Sequence, residues 1–546
     1  MKHTLLIICL LGFTVVSRAQ DDAVITSYKG NIHVRNHEDG RLHINVPPKS
    51  TRKFKATGKI WYSDFGAKGD GKADDIDAIA ATHAFANAYG LTVRADDKAT
   101  YYISGKARTA TIKTDTHFGK ASFIIDDTDV ERRGAAVFVV RSGKQPYMPT
   151  GITSLRKNQA KLQLTLPGPC LITVTNANVK QYIRFGPNQN SGSPQTDIFV
   201  VDGNGNVDMD APIIWDFDQI TSITALPIDE TPLEITGGIF TTIANQAESK
   251  YTYYGRNIAI RRSNVTVEGL VHHVTGEGDH GAPYSGFIDV GNCAYVTVKN
   301  TVLTGRKTYT TIGSAGRPVS MGTYDISVNR AVNVSFINCT QTNDITDPTY
   351  WGIMGSNFGK NLLYDGCTLS RFDAHQGVAN ATVRNSTLGH MGINAIGSGT
   401  FTVANCTILG RSIINLRPDY GSTWQGELII RNCVLRPSAK KLSHVSLITG
   451  SQTGLHDFGY ICYMPERITI ENLEIDDSNI PAGYGGPAIF ADFNPQMKDE
   501  SYQEQFPYVK TKEVILRNVK AASGKPLRIS DNVFMFKDVK VLHNER

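Results

Sequence analysis

Apolar residues in the C-terminal half recur in short period-two bursts, each closed by Asn, Asp or Gly. The series begins with Val265-x-Val267-x-Gly269, Val296-x-Val298-x-Asn300 and Val334-x-Phe336-x-Asn338, and passes through Leu362-x-Tyr364-x-Gly366. It continues with Ala381-x-Val383-x-Asn385, Phe401-x-Val403-x-Asn405, Leu428-x-Ile430-x-Asn432, Ile468-x-Ile470-x-Asn472, Val514-x-Leu516-x-Asn518 and Phe534-x-Phe536-x-Asp538. Alternation sends the paired apolar side chains to one face and their neighbours to the other. Ten copies at spacings of 19 to 46 residues describe a fixed strand with variable loops, the signature of a β-solenoid. The closing Asn or Gly suits a left-handed turn, and stacked Asn amides predict hydrogen bonds from coil to coil. A second strand precedes several copies, as in Ile288-x-Val290, Ile326-x-Val328 and Ile353-x-Gly355-x-Asn357. Two strands per coil with a longer third side define a parallel β-helix.

The N-terminal half is less regular. Residues 1–20 read as a signal peptide: Lys2 and His3, an apolar run from Leu5 to Val16, then Ser17-Arg18-Ala19 as cleavage site. That run is shorter than the ~20 residues of a membrane span, and no later segment is long enough, so the mature protein is expected to be secreted. Residues 21–57 read as a polar, extended lead-in. A helix is predicted over 75–89, capped by Asp74 or Asp75, with Ile76, Ile79 and Phe85 on its apolar face and Gly90 as its stop. Residues 100–250 alternate like strands with Pro and Gly breaks, as early coils or as an inserted β domain. The expected division is 1–20, 21–57, 58–260 and 261–546.

Cys339, Cys367, Cys406 and Cys433 each follow a turn residue of the repeat. They are expected to stack inside as free thiols, although secreted chains usually pair their cysteines. The sequons at Asn264, Asn333, Asn338, Asn380, Asn385 and Asn405 fall mostly on the same repeat and read as part of its turns. A formal charge of +5 from 56 basic and 51 acidic side chains is too weak for a nucleic-acid partner. Gly203-Asn-Gly-Asn206 lacks a following helix and reads as a turn, not a phosphate cradle.

The stretch Asp64-Phe-Gly-Ala-Lys-Gly-Asp-Gly-Lys-Ala-Asp-Asp-Ile-Asp-Ala-Ile, the helix and Tyr101-Tyr-Ile resemble the entry segment of the pectate-lyase-like superfamily. Ile76 stands where that segment usually has Thr. The resemblance implies an all-β, right-handed parallel β-helix whose first coil is capped by the helix. Its members include lyases, hydrolases, epimerases and tailspikes, so it implies no single chemistry. The nearest comparison is with secreted bacterial polysaccharide lyases, including those acting on glycosaminoglycans. Some lyases of this fold use Ca2+, but no clear carboxylate cage is visible here.

On a β-helix, ligands lie along an outer face, so titratable residues at outward positions matter most. Leu369-Ser-Arg-Phe-Asp-Ala-His-Gln-Gly377 places Arg371, Asp373 and His375 together if Phe372 and Ala374 point inward. In that reading His375 moves a proton, Asp373 orients it or raises its pKa, and Arg371 holds an anion. The alternative is a surface salt-bridge ladder. One coil earlier lie Tyr350 and Trp351, which could stack on sugar, and Asn357; later come Asn394 and Arg417, the latter suited to a carboxylate or sulfate. A second cluster, His272-His273 to Glu277, Asp279 and His280, reads as a metal site, a groove-lining loop bringing His273 and His280 to the first site, or a solvated turn. Its spacing matches no zinc motif, and no metal ligand is assigned. Cations and imidazoles outnumber paired carboxylates, which favours β-elimination on an acidic, uronate-containing polysaccharide. Hydrolysis, which uses two carboxylates, and a non-catalytic glycan-binding spike remain alternatives.

Overall fold

The computed structural model describes residues 18–20, 23–438, 443–479 and 483–543. Most of the expected signal peptide, including Cys9, lies outside the described residues. The chain forms a right-handed parallel β-helix, with its strands stacked in one long parallel ladder. One row of register runs Ile60, Val93, Thr116, Ile235, Val267, Val298, Phe336, Tyr364, Val383, Val403, Ile430, Ile470 and Leu516. The inward member of each sequence repeat is therefore the stacked core position, and a single apolar cluster extends along the molecule. The parallel ladder starts at Lys59–Trp61, well before position 261, where the repeat becomes visible in the sequence.

Two readings of the repeat change. Phe534 and Phe536 lie in turns, and the last strand is Lys540–His543. Phe536 is still buried, stacked on Phe490 at 4.6 Å. In the second strand series, Met354 rather than Ile353 pairs with Ile326, so Met354 and Ser356 face inward.

The turns use asparagine as the repeat predicts. Asn385, Asn405, Asn432, Asn472 and Asn518 all have φ between 48° and 55°, a region open to Asn because its short amide bonds locally. Their side chains form a ladder in which Asn405, Asn432, Asn472 and Asn518 each donate to the asparagine one coil earlier, at 2.8–3.0 Å. The thiols follow the same grammar. Cys339, Cys367, Cys406 and Cys433 are buried and unpaired, and each Sγ bonds a carbonyl of the preceding coil, at Val298, Phe336, Val383 and Val403.

The lead-in is more structured than its polarity suggests. Ala23–Ser27 and His33–Asn36 flank Leu42–Val46 in a small sheet. Helix α1, Pro48–Thr57, follows, opened by proline and closed by Gly58 at φ 67°. Helix α2, Ile76–Tyr89, matches the predicted helix and buries Ile76, Ile79 and Phe85 against the first coils. Asp75 flanks it but does not cap it; its carboxylate accepts Lys68 and Gly69 N–H at 2.6 and 3.0 Å, tying the entry loop.

Between Phe138–Arg141 and Leu233–Ile243, both coil strands, the chain inserts a separate antiparallel sheet. Its strands are Cys170–Gln181, Ser193–Val201 and Ser222–Pro227, around a core of Ile172, Val174, Phe199 and Phe217. The 100–250 region thus holds both early coils and an insert. Lys360 and Asp197 anchor it through a fully buried ion pair of 2.8 Å. Its connection at 182–190 crosses the outside of the helix, where Ile183 and Phe185 N–H bond the carbonyls of Phe458 and Asp419. This arm covers the face on which the candidate residues lie.

Candidate functional site

The strand Thr368–Arg384 pairs with Thr387–Ala404, setting Phe372 on Ile393 and Ala374 on Ala395 inside the core. Arg371 and Asp373 therefore leave the core on the outer face. They are nonetheless only 2% exposed, because the arm, the loop carrying Tyr251 and Tyr253, and the hairpin of Thr310–Ile312 with Pro318–Ser320 rise above them. Ala315 N–H bonds the Pro187 carbonyl at 2.9 Å, joining hairpin to arm. The result is a pocket of about 450 Å³, not the open groove the sequence suggests. The pocket gathers Trp351, Arg371, His375, Asn394 and Arg417, and adds Arg184, Tyr251, Tyr253 and Tyr324.

His375 sits at its base. Its Nδ1 lies 2.8 Å from the Asn357 carbonyl oxygen. An amide oxygen only accepts, so Nδ1 carries the proton. Nε2 is buried without a partner and offers its lone pair. Burial, with Arg417, Arg371 and Arg184 nearby, pushes the imidazole well below its usual pKa and keeps it neutral. Asp373 does not orient this ring, contrary to the reading of the period-two triplet. Its carboxylate pairs with Arg371 and accepts Ser356 N–H at 3.2 Å. One residue further on, Asn357 reaches the imidazole instead. No local pattern in the sequence marks that contact, because 18 residues and a coil turn separate the two.

Tyr420 organises the cations. His375 meets its ring edge-on at 5.0 Å, and the guanidinium groups of Arg184 and Arg417 lie 5.4 and 5.5 Å from its centroid. Asp419 binds both arginines, at 2.7 Å from Arg184 and 2.6 Å from Arg417. Three arginines thus share two carboxylates, leaving the pocket with an excess of positive charge. Several donors there are buried and unpartnered: Arg184 Nε, Arg371 Nε and Nη1, and Trp351 Nε1. None of the described residues lining the pocket is Asp or Glu. Tyr324 also lines it, and burial raises its pKa, so its hydroxyl stays protonated.

The remaining candidates fall elsewhere. Tyr350 bridges Lys307 in a neighbouring loop and does not line the pocket. His273 and His280 are exposed, with His280 Nδ1 3.1 Å from the Ala247 carbonyl. Their neighbour His272 is buried between Thr242 and Asp325, and Asp325 also binds Arg306 at 3.2 Å. That network is packing within the coils. Among the described residues, the cluster with ligand atoms close enough to share a metal ion is His37, Asp39 and His43 in the lead-in, away from the pocket. No described helix is long and apolar enough to cross a membrane.

No family model matches the chain, and no curated protein matches it. Among solved structures it is similar to the tailspike gp61 of Pseudomonas phage phi297, at 12% identity over 85% of this chain and 80% of that one, TM-score 0.49. It is similar to the tailspike gp49 of Pseudomonas phage LKA1, at 13% identity over 88% and 84%, TM-score 0.49. It also matches the Streptococcus pneumoniae surface adhesin PfbA, at 12% identity over 87% and 100%, TM-score 0.41.

Proposed function

We propose that this protein is a secreted polysaccharide lyase that cleaves a uronate-containing polymer by β-elimination. The observation that carries this reading is a pocket in which unpartnered arginine donors surround a neutral imidazole while none of the described lining residues is a carboxylate. Elimination next to a uronate needs the carboxylate neutralised so that the C5 proton becomes acidic. Arg371 and Arg417 supply that neutralisation by charge-assisted hydrogen bonds. His375 Nε2 takes the C5 proton, and Nδ1–H to Asn357 fixes the tautomer. The electron pair of the broken C–H bond forms the C4–C5 double bond as the C4–O bond breaks. Tyr324 donates a proton to the departing oxygen.

Hydrolysis fits less well. It needs two free carboxylates roughly 5–10 Å apart across the scissile bond, whereas Asp373 and Asp419 are both engaged by arginine. The test is incubation with a panel of polyuronates and glycosaminoglycans while following the ultraviolet absorbance of the unsaturated product. The expected result is a rising signal with at least one polymer. New reducing ends without that absorbance would overturn elimination in favour of hydrolysis.

A further inference from the structure

A second cavity of about 390 Å³ opens beside the first, between the inserted sheet and the coils. That volume lies within the roughly 300–1,000 Å³ of ligand pockets. Its walls are aromatic and amide: Trp215, Tyr460 and Tyr463 with Gln181, Gln195 and Gln425. Trp215 and Tyr460 stand 5.9 Å apart at 48°. Ile461, 62% exposed, lines it as well.

Two buried polar atoms here have no partner. Trp215 Nε1 is a donor and Gln181 Oε1 an acceptor, and the Gln181 residue is only 3% exposed. One orphan of each kind suits a hydroxyl, which both donates and accepts; a carboxylate would satisfy the indole and be repelled by the amide oxygen. Charge agrees. Lys157 is the one Lys, Arg, Asp, Glu or His among the described lining residues. Its ammonium is engaged by Gln425 at 2.6 Å.

The two cavities are neighbours on the same coils. His375 lines the first and Gly377 the second, two residues on; one coil later Asn394 lines the first and Gly397 the second. Tyr182 and Tyr420 stand between them with ring centroids 6.3 Å apart. We infer that this second cavity is a binding site for a neutral sugar residue, its ring stacked on the Trp215–Tyr460 wall and its hydroxyls bonded to Trp215 and Gln181. That the sugar belongs to the polymer cleaved next door rests on the lyase reading, and makes the substrate a heteropolymer of acidic and neutral residues.

The experiment is calorimetric titration of the whole protein with methyl galactoside, methyl glucoside, methyl N-acetylglucosaminide and, as a charged control, methyl glucuronide. At least one neutral glycoside should bind in the millimolar range or tighter, and the glucuronide should not compete with it. Ser398→Trp, which fills the cavity, and Trp215→Phe, which keeps a ring but removes the donor, should each weaken binding at least several-fold. Arg417→Gln, in the first pocket, should leave it unchanged. Melting curves establish that each variant folds, and Trp215→Phe carries the test if Ser398→Trp does not. The inference is overturned if no neutral glycoside binds, if binding survives both cavity variants, or if Arg417→Gln abolishes it. Absence of unsaturated product from every polymer would sink the lyase reading and leave this binding untouched.

Discussion

At the scale of single residues, burial holds the His375 imidazole neutral, the form that the proposed elimination requires of its base. Removing a positioned base costs roughly 10²–10⁴ in rate, so His375→Ala should lose activity by that factor in the absorbance assay. The same variant should also lower the melting temperature, because the ring packs on Tyr420. The pH profile follows from the direction of the shift. The working form is deprotonated, and its pKa in the free protein lies below 6.5. The acid limb of kcat/KM should therefore fall below pH 6.5. A bound uronate places a negative charge near the ring and favours its protonated form, so the acid limb of kcat should lie at higher pH than that of kcat/KM. Coincident limbs at or above pH 7 would exclude His375 as the base. Arg371 carries a structural duty as well. Arg371→Ala leaves the Asp373 carboxylate buried without its charge partner, a change that costs ~3–5 kcal/mol. Thermal unfolding should show that loss, and Arg371→Ala with Asp373→Ala should recover most of it.

At the scale of elements, turn and arm have separable roles. Asn432 sits at φ 52°, donates to Asn405 and accepts from Asn472. Asn432→Ala should cost ~1–3 kcal/mol in denaturant unfolding through its stranded ladder neighbours and the strained backbone. Asn432→Gly should cost less, since glycine restores the left-handed turn. The arm contributes Arg184, which shares Asp419 with Arg417. Arg184→Gln should raise KM for an acidic polymer several-fold with little change in melting temperature, because Asp419 keeps its other arginine. An unchanged KM would remove the arm from the binding site.

At the scale of the whole molecule, the core is one stack of coils closed at the N-terminal end by α2 and the small lead-in sheet, with no disulfide among the described cysteines. Thiol titration after denaturation without reductant should find the seven cysteines at 170, 293, 339, 367, 406, 433 and 462 free. Three bridges among them would refute the interior ladder. What holds the coils is apolar burial, backbone pairing and the asparagine turns, all repeated locally.

That local repetition is why the coil architecture could be read from residue order. Val298, Val403 and Ile430 announce their inward faces by period two, and Asn405 and Asn432 announce their turns by composition. Helix α2 was legible from Gly90 and its apolar positions. The early coils were hidden because Thr116 occupies a row that apolar side chains fill elsewhere, and the segment between Arg141 and Leu233, which holds the inserted sheet, interrupts them. The site divides the same way. Arg371 and His375 were visible as polar residues on a strand and Arg417 as one just past a strand end, but strand alternation specifies only which face a side chain takes. Whether that face is open is decided by what crosses it. Here Arg184, Tyr253 and the 310–320 hairpin, distant in sequence, meet above the strand and turn a surface ladder into a buried, cation-rich pocket. The partner of His375 was settled in the same manner, by coil stacking that brings Asn357 rather than the adjacent Asp373 to its ring.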